Sequence, residues 1–239
     1  MSKELEIKGL HKAYGEMAIF RDFSLTFPLG QITCILGPSG CGKTTLLNII
    51  GGLTLPDGGL LSGFEDKTIS YIFQDPRLLP WKTVEENISF VLNQNLPEAE
   101  RKKITSRFIR LVDLEGFEGY YPSKLSGGMR QRVSIARAFA YPSDIILMDE
   151  PLKGLDVKLK YNLIRTFSHI WQSDKRTVIF VTHDVDEALL MGHEIVVMSQ
   201  APVKVLEHVR LQQPLESRET DDPVIRELKL RLFQSMGML

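Results

Sequence analysis

Residues 37–44 read Gly37-Pro38-Ser39-Gly40-Cys41-Gly42-Lys43-Thr44, a match to the pattern G-x-x-x-x-G-K-[ST]. Glycine at those spacings lets successive backbone N–H groups turn inward and cradle phosphate oxygens. The flanking sequence supplies the context this needs. An apolar strand is predicted over 31–36 and a helix over 43–50. The loop therefore joins a strand to a helix N-terminus, whose dipole favours anions. In this reading Lys43 reaches the β- and γ-phosphates, Thr44 ligates Mg²⁺ through its hydroxyl and Thr45 bonds the α-phosphate. The bland alternative is an ordinary Gly-rich turn.

Outward from this loop, strand-like runs at 5–8 and 23–27 precede it, and a turn signal at 56–59 and a short strand over 68–73 follow. From 81 to about 119 the pattern becomes helical. Thr83-Val84-Glu85-Glu86 resembles a capping box, and Pro97 suits a helix start. After Ser126 the chain reads helix to 140, strand 145–148, helix 157–171, strand 177–182, helix 184–191 and strand 194–198. Strands alternating with helices predict an α/β fold on a mostly parallel sheet. Residues 212–222 read as a polar linker to an amphipathic helix around 224–233.

Two further stretches carry chemistry. Ile145-Ile146-Leu147-Met148-Asp149-Glu150 is a buried strand ending in two carboxylates. Beside a phosphate loop, Asp149 is placed to hold Mg²⁺ or its waters, and Glu150 to accept a proton from an attacking water. Acids at an exposed strand end are the alternative. Leu125-Ser126-Gly127-Gly128-Met129-Arg130-Gln131-Arg132 is a second anion-binding candidate, with Ser126 at an N-cap and two glycines opening a helix. Its alternative is a capped helix with a solvated basic face of Arg130, Arg132 and Arg137.

In this order the elements resemble the nucleotide-binding subunit of an ATP-binding cassette (ABC) transporter. The correspondence runs over residues 3–210: phosphate loop Gly37 to Thr44, Q-loop Gln74, signature at 125–129, Walker B ending in Asp149-Glu150, D-loop near Asp156 and switch His183. The resemblance implies a P-loop NTPase (RecA-like) core with an antiparallel β subdomain and an inserted helical subdomain. The cassette would span 1–211, its helical part about 78–140, with 212–239 as linker and amphipathic helix.

The same resemblance implies roles. Glu150, His183 and Gln74 would be catalytic, with His183 contacting the γ-phosphate and holding Glu150 and the water in register. Thr44, Gln74 and Asp149 would hold Mg²⁺. ATP would lie on Gly37, Pro38, Ser39, Gly40, Cys41, Gly42, Lys43, Thr44 and Thr45. Tyr14 would stack on adenine, plain packing being its alternative. Ser126, Gly127, Gly128 and Asp156 would meet the ATP of a second cassette, because one chain holds one loop and one signature. The implied partners are that second cassette, integral-membrane permease subunits and, through them, a periplasmic or extracellular substrate-binding protein. The implied place is peripheral, on the cytoplasmic face of the membrane.

Residues 74–88, with Leu78-Leu79-Pro80-Trp81 after the Q-loop, are similar to the nitrate/sulfonate/taurine group of importers. The patch 78–81 would help receive a short helix from the permease; core packing is the alternative. Three features depart from the family pattern: Met129 in the signature, Leu152-Lys153-Gly154 before Asp156, and a short segment 53–73.

Composition narrows the classes. There are 29 Lys+Arg against 30 Asp+Glu, a net charge of −1, so overall charge does not drive nucleic-acid binding. The two cysteines, Cys34 and Cys41, make neither a disulfide framework nor a zinc site and point to a reducing compartment. The apolar runs are far short of the ~20 residues a spanning helix needs, and the first residues lack a secretory h-region. A DNA- or ribosome-directed ABC ATPase would carry a long coiled-coil insertion or two cassettes. A kinase or GTPase would lack the signature and His183.

Overall fold

The structure is a computed structural model that describes residues 4–238. Strand β1 (Glu4–Tyr14) turns at Gly15 into β2 (Met17–Pro28), and the two pair antiparallel. Both extend well beyond the runs expected at 5–8 and 23–27. The fully buried β3 (Ile32–Leu36) leads through the phosphate loop into α1 (Lys43–Ile50). Strand β4 (Gly58–Ser62) begins inside the expected turn and pairs antiparallel with β1, giving a three-stranded sheet of order β2-β1-β4.

After β5 (Ile69–Ile72) come three helices, α2 (Val84–Ser89), α3 (Glu98–Leu111) and α4 (Gly127–Ala140). The expected capping box forms at α2: the Thr83 amide donates to Glu86 Oε2 at 2.8 Å, and the Glu86 amide to Thr83 Oγ1 at 3.3 Å. The remaining elements alternate: β6 (Ile145–Asp149), α5 (Val157–Asp174), β7 (Thr177–Thr182), α6 (Val185–Met191), β8 (Glu194–Met198), β9 (Val205–Arg210) and α7 (Pro223–Ser235).

The second sheet has order β5-β6-β7-β3-β8-β9, parallel except for β9, which pairs antiparallel with β8. Strands β3, β6, β7 and β8 are buried at every position, as expected of a parallel sheet covered on both faces. Alternate side chains feed two separate cores. Cys34, Ile146, Met148, Phe180 and Val197 pack toward α4, α5 and α6. Ile35, Leu147, Ile179, Val181 and Val196 pack with α1 and the β1–β2 hairpin, where Leu5, Phe20 and Phe27 are buried. Each such apolar side chain contributes about 1.5–3 kcal/mol on burial. No helix among the described residues is long and apolar enough to cross a membrane.

The polar stretch 212–222, expected as a linker, is docked. Arg218 is 6% exposed and donates from Nη1 to the carbonyls of Leu189, at 2.8 Å, and Gly192, with Nε and Nη2 on Gln213 O. It thus satisfies free carbonyls at the C-terminal end of α6, where a cation also suits the helix dipole. Burial lowers its pKa to about 10.

Candidate active site

Four neighbouring strands end on one edge of the parallel sheet. The register pairs Leu36 of β3 with Thr182 of β7, Asp149 of β6 with Val181 of β7, and Ile72 of β5 with Met148 of β6. Consequently the phosphate loop, His183, Asp149-Glu150 and Gln74 emerge side by side. A strand-order reversal also occurs here: β3 sits between the later strands β7 and β8, the kind of switch point where open α/β sheets bind ligands.

The phosphate loop needs its glycines. Gly42, the N-cap of α1, has φ of 115°, and a Cβ there would come within 2.5 Å of Ile19 Cγ2. Because β2 seats Ile19 and Phe20 under the loop, the hairpin that carries Tyr14 lies against it. Tyr14 itself is 54% exposed, with the Lys12 ammonium 5.4 Å from its ring centroid. Gly42 brings no capping side chain, so the first N–H groups of α1 stay available as donors. Lys43 is buried and donates to Gly37 O at 2.7 Å and Pro38 O at 2.9 Å. An ammonium has three protons, leaving one for a phosphate oxygen. Cys41 is buried beneath the loop and its pKa is raised, chiefly by burial, so its thiol is an inert packing group.

Thr44, Gln74 and Asp149 line one cavity of about 390 Å³. All three present oxygen, the donor that Mg²⁺ prefers. Asp149 is buried, and burial, with the neighbouring Glu150 charge, raises its pKa against the opposing pull of the Thr44 hydroxyl and Lys43. A carboxylate that burial disfavours as an anion, beside a hydroxyl and an amide oxygen, fits a small hard dication.

Glu150 follows at φ of 45°, a left-handed conformation that turns its side chain away from the strand direction. Its Oε1 lies 3.2 Å from His183 Nδ1 and its Oε2 lies 2.6 Å from the Lys153 ammonium. Burial pushes the Glu150 pKa up, but Lys153 and His183 together outweigh it and hold the carboxyl below its usual range. The residues on either side of His183 are held by a partly buried network. Asp184 caps α6 by accepting from the Asp186 and Glu187 amides, and Lys160 of α5 bridges Asp184 at 2.6 Å and Glu187 at 2.8 Å. Glu187 also accepts from Thr182 Oγ1 at 2.7 Å. Burial opposes both charges of the Lys160–Asp184 pair; the pairing wins, raising the lysine and lowering the aspartate.

The signature forms a second group. Ser126 caps α4, its Oγ accepting from the Met129 amide at 3.2 Å, and Ser126 and Gly127 are exposed. The partners of this turn are its own helix and the turn after Glu150. Gln131 Nε2 donates to Pro151 O at 2.8 Å, and a Cβ on Gly128 would meet Leu155 Cδ2 at 3.2 Å. Asp156, also exposed, accepts from the Leu159 amide at 3.0 Å and caps α5. The arginines of α4 are not the solvated basic face of the alternative reading. Arg130 donates to Leu125 O, Arg132 to Val112 O and Asp113 O, and Arg137 to Pro76 O and Arg77 O in the Q-loop.

Arg137, Lys160 and Arg218 escape sequence reasoning because each is a lone cation with partners distant in the chain, Arg218 adding a near one in Gln213. Lys153 does carry a signal, its departure from the family pattern. In the 78–81 patch, Leu78 packs on the core whereas Trp81 is 69% exposed. Buried Asn87 fixes that loop with its Oδ1 on the Leu79 amide and its Nδ2 on the carbonyls of Leu79, Lys82 and Thr83.

The chain and its fold have counterparts among known proteins. A family model described as ABC transporter matches residues 20–153. The aliphatic sulfonates import ATP-binding protein of Bacillus cereus is 37% identical over 240 residues, 97% of this chain and 95% of that protein. The taurine import ATP-binding protein of Escherichia coli O157:H7 is 38% identical over 215 residues, 87% of this chain and 84% of that protein. A dimeric, post-hydrolysis ATP-binding cassette bound to ADP and Pi superposes with a TM-score of 0.73 at 31% identity, over 85% of this chain and 99% of that one.

Proposed function

The chain belongs to the ABC transporter family, and on that premise we propose that it powers uptake of a small sulfonate such as taurine, or of a related anion, by hydrolysing ATP between two copies of itself. The observation that carries the reading is the convergence of Gln74, Asp149, Glu150, His183 and the phosphate loop on one sheet edge. ATP lies with its phosphates in the loop of 37–45 and its adenine on Tyr14. A second cassette supplies Ser126, Gly127, Gly128 and Asp156; the exposure of Ser126, Gly127 and Asp156 supports this division. Mg²⁺, held by Thr44, Gln74 and Asp149, neutralises charge on the β- and γ-phosphates when bound.

In the hydrolytic step a water oxygen forms a bond to the γ-phosphorus and the bridging oxygen leaves with ADP. Glu150 takes the water's proton, and His183 holds the carboxylate by its Oε1. Loss of the γ-phosphate contacts then lets the two cassettes part. The exposed Trp81, on a loop pinned by Asn87, supports docking of permease subunits there. A substrate-binding protein outside the membrane delivers the solute to those subunits.

The reading is tested with Glu150→Gln. The variant is expected to bind Mg-ATP and to accumulate as a stable dimer without releasing phosphate; wild-type turnover would remove Glu150 from its role. The substrate class is tested in proteoliposomes with the cognate permease and binding protein. Internal ATP should drive uptake of taurine or an alkanesulfonate, and ATP consumption with no uptake of either would overturn the assignment.

A further inference from the structure

Lys153 stands in the turn between Glu150 and the Asp156 N-cap, with its ammonium 2.6 Å from Glu150 Oε2. We propose that Lys153 is a positioning residue that latches the Glu150 carboxylate in an unproductive pose until the second cassette closes, restraining hydrolysis by a cassette on its own. The proposal rests on the reading of Glu150 as the base.

The argument is one of access. A general base must offer an open lone pair to the proton it takes. Oε1 of Glu150 is engaged by His183 at 3.2 Å. Oε2 is shut off from solvent and lacks a well-directed hydrogen bond, so Lys153 covers it by ionic contact rather than by a donor aimed along a lone pair. The titratable and charged groups around this carboxylate are Asp149 on the strand, Lys153 on the turn and His183 after β7. The lysine is free to leave, its side chain 47% exposed against 12% for Glu150; His183, at 51%, is as exposed but follows β7 and is not part of the turn between Glu150 and Asp156. An ion pair of this kind is screened by solvent and opens readily.

The turn is also wired to the surface that meets the second cassette. On one side of Lys153, the Pro151 carbonyl accepts from Gln131 of the signature helix. On the other, Leu155 packs where Gly128 leaves room for it. A shift of the signature helix on closure therefore moves the backbone on both sides of the lysine. Withdrawal of the ammonium uncovers Oε2 for the attacking water, so the base is released when the second signature arrives.

The test uses the full chain without permease, in Mg-ATP, comparing Lys153→Ala, Lys153→Met and Lys153→Arg with wild type. Lys153→Ala and Lys153→Met should raise kcat roughly two- to fivefold, the range of a partly exposed ion pair, with KM for ATP unchanged. Lys153→Arg, which restores the charge, should stay at the wild-type rate. Unchanged KM also reports intact folding and nucleotide binding. A kcat that is unchanged or lower in both neutral variants overturns the latch. The double variant Glu150→Gln/Lys153→Ala separates the two readings. If it is inactive while Lys153→Ala matches wild type, the latch alone fails; if it turns over as fast as Lys153→Ala, the base assignment fails and the latch with it.

Discussion

The side-chain amide of Gln131 donates from Nε2 to the carbonyl oxygen of Pro151 at 2.8 Å, joining the helix that opens with the signature to the turn that follows β6 and Glu150. Both residues are buried, so neither group has water as a substitute partner. Replacing Gln131 with Leu keeps the volume but orphans the carbonyl. Thermal denaturation should show a loss of about 1–3 kcal/mol. The ATPase kcat should fall more than the affinity for ATP, because the lost link lies between the signature helix and the turn after Glu150 rather than on the proposed nucleotide site. Equal losses in both would argue that the bond merely holds the fold.

Lys43→Ala removes a buried ammonium that holds two loop carbonyls and, in the proposed function, a phosphate. ATP affinity should drop at least roughly tenfold, the cost of one charge-assisted hydrogen bond or more. Isothermal titration with a non-hydrolysable analogue measures this directly, and an unaltered Kd would contradict the phosphate-loop assignment.

Ser126→Arg places a long cation at an exposed turn, where Ser126 otherwise serves as the N-cap of α4. A single chain should bind ATP as before, since Ser126 accepts from the Met129 and Arg130 amides of its own helix and lies away from the phosphate loop of its own chain. Light scattering with Mg-ATP in the Glu150→Gln background should show monomer where the parent shows dimer. A dimer of undiminished stability would mean that the signature does not face the second nucleotide.

Acid should weaken the fold at a defined place. His193 Nδ1 accepts from the Ile32 amide at 3.1 Å, and the ring packs against Trp171. Burial first, then the Arg218 charge, lowers its pKa to about 4, with Glu194 opposing. An unfolded histidine titrates near ~6.5. Between that value and about 4 the unfolded chain binds a proton that the folded chain refuses, so stability falls as pH drops through the window. Denaturation midpoints of wild type should decline more steeply there than those of His193→Gln, whose amide oxygen still accepts from Ile32. Parallel slopes would remove His193 as the source.

Much of this architecture was legible because period and motif agreed. The buried runs of β3, β6, β7 and β8 read as parallel strands, and Ser126 and Thr83 read as caps. What escaped has physical reasons. Strand β9 is an edge whose Val205-Leu206-Glu207-His208-Val209-Arg210 is mostly exposed, so no alternation marks it. Strand β4 starts with two glycines, which read as a turn until β1 is there to pair with them. Residues 212–222 are polar, and polarity suggests a linker; nothing local shows that one of them, Arg218, finds its partners at the end of α6. The roles within the site divide in the same way. Residue types and spacing nominate Asp149 and Glu150, and the family resemblance nominates His183, whereas the ion pair from Lys153 exists only once the turn is folded.

The two cysteines, 34 and 41, are both fully buried, one in the central strand and one under the phosphate loop. Burial raises both thiols, the first well above the ordinary value. The native chain therefore shows maleimides and nitroxide reagents no reactive surface thiol. A single cysteine introduced at exposed Ser106 on α3 would be the one position to take a probe. Distances between two such probes across a cassette pair would then follow opening and closing in real time, in a protein that keeps all of its natural residues but one.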